Sequence, residues 1–173
     1  DVVAFGHEPV GDRLGGGAGF AELGHQRVHF GQGQAGTAEI GGDVTVGSGI
    51  AVDDAIFDVG GTIGTGGGYA QTGGITTAGA DFGIEGDARV QDGLLTVAGD
   101  TAVTGNYIQT GSILRAGGRM QVGGVYAQTG GEADIGGSLM VQSSLKVDGG
   151  ALTAKGSIGA GGDYAQSDGI TLT

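Results

Sequence analysis

The chain has 173 residues, no cysteine, and a net charge of -12 set by seven basic against 19 acidic side chains. That balance speaks against nucleic acid or an anionic membrane surface as a partner, since both demand a basic footprint. No apolar run reaches the ~20 residues that a membrane-spanning helix needs. The length fits one domain. The 44 glycines alone would suggest a low-complexity segment, but proline occurs once and the glycines fall in register with aliphatic residues between them. The chain begins at Asp1 with neither a methionine nor a signal-peptide pattern, so a processed product or an excised piece is expected.

Residues 1–30 are the least regular and are expected to form an irregular coil or a cap. Within them Asp1–Phe5 reads as a short strand, a turn follows around Glu8-Pro9-Val10-Gly11, and Gly15–Gly19 is a loop. Ala21-Glu22-Leu23-Gly24 followed by Val28-His29-Phe30-Gly31 reads as a worn copy of Ala38-Glu39-Ile40-Gly41 followed by Val44-Thr45-Val46-Gly47.

From residue 31 to 173 the chain repeats. Tyr69-Ala70-Gln71-Thr72-Gly73-Gly74, Tyr107-Ile108-Gln109-Thr110-Gly111-Ser112, Tyr126-Ala127-Gln128-Thr129-Gly130-Gly131 and Tyr164-Ala165-Gln166-Ser167-Asp168-Gly169 all lie on one 19-residue grid. Degenerate copies at Ile50, Ala88 and Leu145 fill the empty grid points, and no insertion or deletion breaks the period after Ile50. A fixed period of this size is the signature of stacked structural repeats.

Each repeat holds three short segments that alternate with period two, the pattern of a strand. In the first, the tyrosine and glutamine columns flank Ala51, Ala70, Arg89, Ile108, Ala127, Lys146 and Ala165. A column that admits Arg and Lys faces solvent, so the tyrosines and glutamines point inward. In the second, Phe57 to Leu152 and Val59 to Ala154 are inward columns around Asp58, Thr77, Thr96, Arg115, Asp134 and Thr153. In the third, Val44 to Ile158 and Val46 to Ala160 are inward. Val97, Ile135, Ile63, Leu139, Val103 and Val122 are therefore predicted core, and Arg89, Lys146, Arg115 and Thr77 predicted surface.

Three strands per turn closed by glycine-rich corners make a triangular coil. Glycine pairs at 60–61, 117–118 and 136–137 mark one corner, and those at 73–74, 130–131 and 149–150 another. Both are expected to need positive backbone angles and to leave no room for a side chain one coil away. Stacked in parallel at ~4.8 Å, about seven and a half such coils give a rod of roughly 35 Å. The fold class read from the sequence is an all-β parallel β-helix, right-handed because parallel connections overwhelmingly are. Tyr107 and Tyr126 should stack as neighbours, and Gln109 and Gln128 should form an amide ladder.

The units "GNYIQTGS", "GVYAQTGGEADIGG" and "GDYAQSDGITLT" resemble the Tyr-x-Gln-(Thr/Ser)-x-Gly repeats of bacterial autotransporter passengers and related large repetitive surface proteins. The resemblance covers about residues 50–173. It implies a secreted β-helical chain at the cell surface, used as an adhesin or stalk, and it carries over no catalytic or receptor-binding motif.

Candidate sites are few. His7, His25 and His29 lie in the irregular start, and Val28-His29-Phe30 alternation turns His29 outward, so surface histidines are expected in place of a metal site. Asp81 and Asp100 fall in adjacent coils, where calcium could neutralise them, but the calcium-binding nonapeptide is missing and turn residues are the expectation. Arg115 beside Asp134 reads as a cross-strand ion pair. Thr110 beside Thr129 and Thr77 beside Thr96 hint at an ice-binding array, interrupted by Asp53, Gln91 and Asp148 in one column and by Arg115 and Asp134 in the other. No catalytic, cofactor-binding or metal-binding residue is assigned, and no cofactor is expected. The leading reading is an extracellular structural or adhesive rod that does no catalysis. A glycan-binding or glycan-cleaving β-helix is the alternative, to be favoured by a groove of converging acidic and basic side chains, and an ice-binding solenoid the third. Gly169–Thr173 runs into the second strand of a coil with nothing over it, so continuation of the solenoid or end-to-end self-association is expected, with a host or matrix glycan as a further partner.

Overall fold

Alternation with period two puts every second side chain of each short segment on one face, and the 19-residue spacing aligns those faces along an axis. A computed structural model gives the result. It describes residues 36–173 throughout and, earlier in the chain, the backbone of Val3–Phe5, Ala21–Leu23 and Val28–Phe30. The described residues form an all-β parallel solenoid of about seven turns, three strands per turn, with no helix.

The strands make three parallel sheets. The tyrosine sheet carries Tyr69–Gln71, Tyr107–Gln109, Tyr126–Gln128 and Tyr164–Gln166 with the strands that fill the grid between them. The second sheet runs from Thr37–Ile40 to Ile170–Leu172, and the third from Ala21–Leu23 to Ile158–Ala160. Registers follow the grid: Tyr107 sits against Tyr126, Arg115 against Asp134 and Val103 against Val122.

The core is a set of like ladders. Val97, Ile135, Ile63, Leu139, Val103 and Val122 are all buried, whereas Arg89, Lys146 and Arg115 are exposed and Thr77 is half-buried. Each ladder side chain lies between its counterparts in the coils above and below, so apolar burial is continuous although no single coil could provide it.

Two expectations about local backbone need correction. Among the described residues positive φ is confined to one corner, at Gly74, Gly93, Gly131, Gly150 and Gly169, where glycine carries no Cβ penalty, and at Asp54, an aspartate in the same corner. At the corner holding Gly60 the angles are ordinary and only close approach demands glycine: a Cβ there would sit 2.7 Å from the Gly41 carbonyl oxygen. The start of the chain also pairs differently. Ala21–Leu23 lies against Val44–Val46 and Val28–Phe30 against Ile50–Val52, one strand further along than the worn-copy reading placed them. Val3–Phe5 is the expected short strand and pairs with Val28–Phe30.

Candidate functional site

The chemistry-bearing side chains fall into three groups: a buried clasp, a ladder at the corners, and the outer faces of the sheets.

The clasp is the Tyr-x-Gln unit. Both side chains point inward from one strand, two residues apart, so the phenol reaches its own coil's amide. Tyr69, Tyr107 and Tyr126 lie 2.7, 3.1 and 2.9 Å from Oε1 of Gln71, Gln109 and Gln128. Each glutamine then donates through Nε2 to two carbonyls, one three residues on in its own corner and one in the next coil. For Gln109 these are Ser112 at 2.7 Å and Glu132 at 2.9 Å. For Gln71 they are Gly74 and Leu94, and for Gln128 they are Gly131 and Ala151. The three glutamines are fully buried, yet donors and acceptor are all matched, which a buried amide requires. The expected Gln109–Gln128 amide ladder is therefore not formed, because corner carbonyls capture both amide hydrogens. The tyrosines do stack as expected: the rings of Tyr107 and Tyr126 are 5.2 Å apart between centroids and 19° from parallel. Burial pushes all three buried phenols up from the usual tyrosine range; at Tyr107 the neighbouring Tyr126 and Tyr69 add to it. The hydroxyl of Tyr69 also lies 2.7 Å from Thr76 Oγ1, and as it has one proton to give to Gln71, it accepts the threonine's. Tyr164 and Thr171 repeat this pair at 3.0 Å.

The corner ladder explains the aspartates. Asp43, Asp81 and Asp100 accept the backbone N–H of Thr62, Asp100 and Arg119 at 2.7, 2.8 and 2.9 Å. Asp87 accepts from Asn106, and Asn106 in turn from Val125. Each side-chain oxygen thus stands in for a carbonyl acceptor one coil away, the expected role of Asx residues at turns. The second oxygen of Asp100 meets Arg119 Nε at 2.9 Å. On the tyrosine sheet Lys146 and Ser167 hold the Asp148 carboxyl below its ordinary range. Among the described residues no cluster of three metal-ligating side chains occurs.

On the outer faces Arg115 and Asp134 are partners in register but form no ion pair, contrary to expectation. The threonine columns are interrupted where the sequence places other residues, and Thr110 gives its hydroxyl proton to the Gln91 carbonyl. The third sheet carries an open, shallow depression of about 690 Å³ over Gly64, Gly83 and Ala102, rimmed by Thr45, Glu85 and Gln121. His7 and His25 lie outside the described residues, as does the side chain of His29. Sequence reading missed the clasp's full wiring and the corner ladder; a threonine seven positions after Tyr69 and Tyr164 was the visible signal for part of it.

Fold and side-chain wiring together define a parallel β-solenoid repeat protein. No protein-family model, curated protein or solved structure matches the chain.

Proposed function

We propose that the chain is an extracellular structural or adhesive rod, a segment of a longer repetitive or fibre-forming bacterial surface protein, without catalytic activity. The observation that carries this reading is the unbroken period: among the described residues about seven coils pass without an inserted loop that could wall a reaction site. Asp81 and Asp100, at the start of third-sheet strands, are engaged in coil-to-coil bonding, Asp100 with Arg119.

The last coil supports stacking onto a further coil of the same kind. Tyr164, Ile170 and Leu172 are exposed there, at 49%, 58% and 56%, although Tyr164 occupies a column that is buried elsewhere. Gln166 donates to Gly169 but lacks the second carbonyl that Gln71, Gln109 and Gln128 find one coil on. In the proposed fibre this surface meets a coil of a second copy, through edge N–H and C=O groups open to pairing. Glycan contact is the second reading, carried by the depression over Gly64, Gly83 and Ala102.

Solution scattering and electron microscopy of the 173-residue chain test the proposal. Rods whose lengths rise in steps of roughly 35 Å are expected. A compact monomer whose last coil is protected from hydrogen exchange, or release of new chain ends from a polysaccharide panel, would overturn it.

A further inference from the structure

The second sheet has an outer face that neither the clasp nor the corner ladder uses. Its strands begin on a column of aliphatic residues, Ile56, Ile75, Leu94 and Ile113, stacked in register over four successive coils. Ile56 and Ile75 are 42% and 40% exposed, and Leu94 and Ile113 are half-buried. Two residues along each strand, on the same face, run Asp58, Thr77, Thr96 and Arg115, with both charged ends exposed. Beyond them the face is flat, at Gly60, Gly79, Ala98 and Gly117. A contiguous aliphatic ridge on an acidic surface is the kind of patch that marks a contact.

From this arrangement we infer that the ridge pairs with the same ridge of a second copy, antiparallel, about a two-fold axis between the strands of Ile75 and Leu94. An isologous contact must be self-complementary, and these columns are. The two-fold sets Ile56 against Ile113 of the second copy and Ile75 against Leu94. It sets Asp58 against Arg115 and Thr77 against Thr96, so the ion pair forms twice. Arg115, left without an ion pair by Asp134 in its own chain, gains a carboxylate. On the other side of the ridge Asp54 meets Gly111 and Asp92 meets Gly73, so carboxylates face glycines.

Charge selects this register. Sliding one copy by a coil in one direction puts Asp54 against Asp92; sliding it in the other puts Asp58 against Asp134 and Asp92 against Asp92. Like charges so placed disfavour the wrong pairing. The next rung outward brings Glu39 against Asp134, which confines the favourable contact to four coils, or about 15 Å of rod. Such a footprint is well below the ~800 Å² per partner of a standard interface, so the dimer is weak and concentration-dependent. The ridge in the depression of the third sheet would be a competing, open-ended contact, but it would bring Glu85 on that rim toward the acidic flank of the ridge.

The test is sedimentation equilibrium combined with scattering over a concentration series of the full chain. Side-by-side pairing thickens the rod cross-section and lengthens it by no more than about two coils, roughly 10 Å, which separates it from end-to-end stacking. Arg115→Asp and Asp58→Arg singly should each weaken pairing by about tenfold or more, and the double exchange should restore it, because the ion pair re-forms reversed. Ile75→Asn should abolish pairing while circular dichroism stays unchanged, since Ile75 lies outside the core. A chain whose cross-section never thickens overturns the inference. So does pairing that ignores the charge exchange but is lost with Gly83→Lys, which would place the ridge in the depression.

Discussion

Coils 126–131 and 145–150 are neighbours in one solenoid and fill the same inward columns in opposite ways. In the first, Tyr126 and Gln128 occupy the space with a hydrogen-bonded pair; in the second, Leu145 and Val147 fill it with hydrocarbon. All four side chains are fully buried. The interior therefore accepts a polar pair as readily as an apolar one, provided the pair brings every partner it needs. Phenol and amide satisfy each other within the coil, and the amide's hydrogens find a corner carbonyl and its counterpart one coil on. Leu and Val need no partner, and so can stand anywhere in the column.

High pH strikes the clasp coils hardest. The folded state holds Tyr69, Tyr107 and Tyr126 protonated, whereas in the unfolded chain they ionise near pH 10. Above that pH the unfolded state binds fewer protons, so stability falls as pH rises; below it the effect is nil. Each phenol contributes about 1.4 kcal/mol per pH unit, or about 4 for the three together. A tyrosinate absorbance titration should show these phenols ionising in one step together with loss of the far-ultraviolet β signal.

Moving half of the clasp into an apolar coil comes next. Val147→Gln buries an amide oxygen with no phenol to meet it and should cost about 3 kcal/mol, counting overpacking. Adding Leu145→Tyr should recover part of that in a denaturant melt. The reverse exchange is milder: Gln128→Leu strands the Tyr126 hydroxyl and should cost about 2 kcal/mol, with Tyr126→Phe in the same chain recovering part of the loss. The smallest effect has the opposite sign. Thr101 stands in an apolar column with its hydroxyl buried and without a hydrogen-bond partner. Thr101→Val should stabilise by about 1 kcal/mol, visible as a raised melting temperature.

Most of the architecture was legible because the 19-residue period survives wherever like residues stack. Arg89 and Lys146 in one column were enough to orient a whole sheet. What stayed hidden depends on atoms the period does not see. Repetition at Gln109 and Gln128 shows that the amides are neighbours, but not that corner carbonyls lie nearer than the next amide. Nor does it separate a corner that needs positive φ, as at Gly74, from one that needs only clearance, as at Gly60. Arg115 and Asp134 show the same limit: register makes them neighbours without bringing their charges together. Before residue 31 the spacing drifts, and alternation alone cannot say which sheet Ala21–Leu23 joins, since all three present the same apolar rhythm.

The corner ladder gives the rod a direction. In every bond from Asp43, Asp81, Asp87, Asp100 and Asn106, the earlier coil supplies the acceptor and the later coil the amide. A coil therefore presents side-chain oxygens to the stretch of chain that follows it, and the later coil returns only backbone carbonyls at the same corner, as Asp81 and Asp100 do to the amides of Ile63 and Phe82. The two faces exposed by cutting the rod between coils are thus chemically unlike: the face toward the carboxyl end carries the side-chain acceptors, and the face toward the amino end the amides they bind.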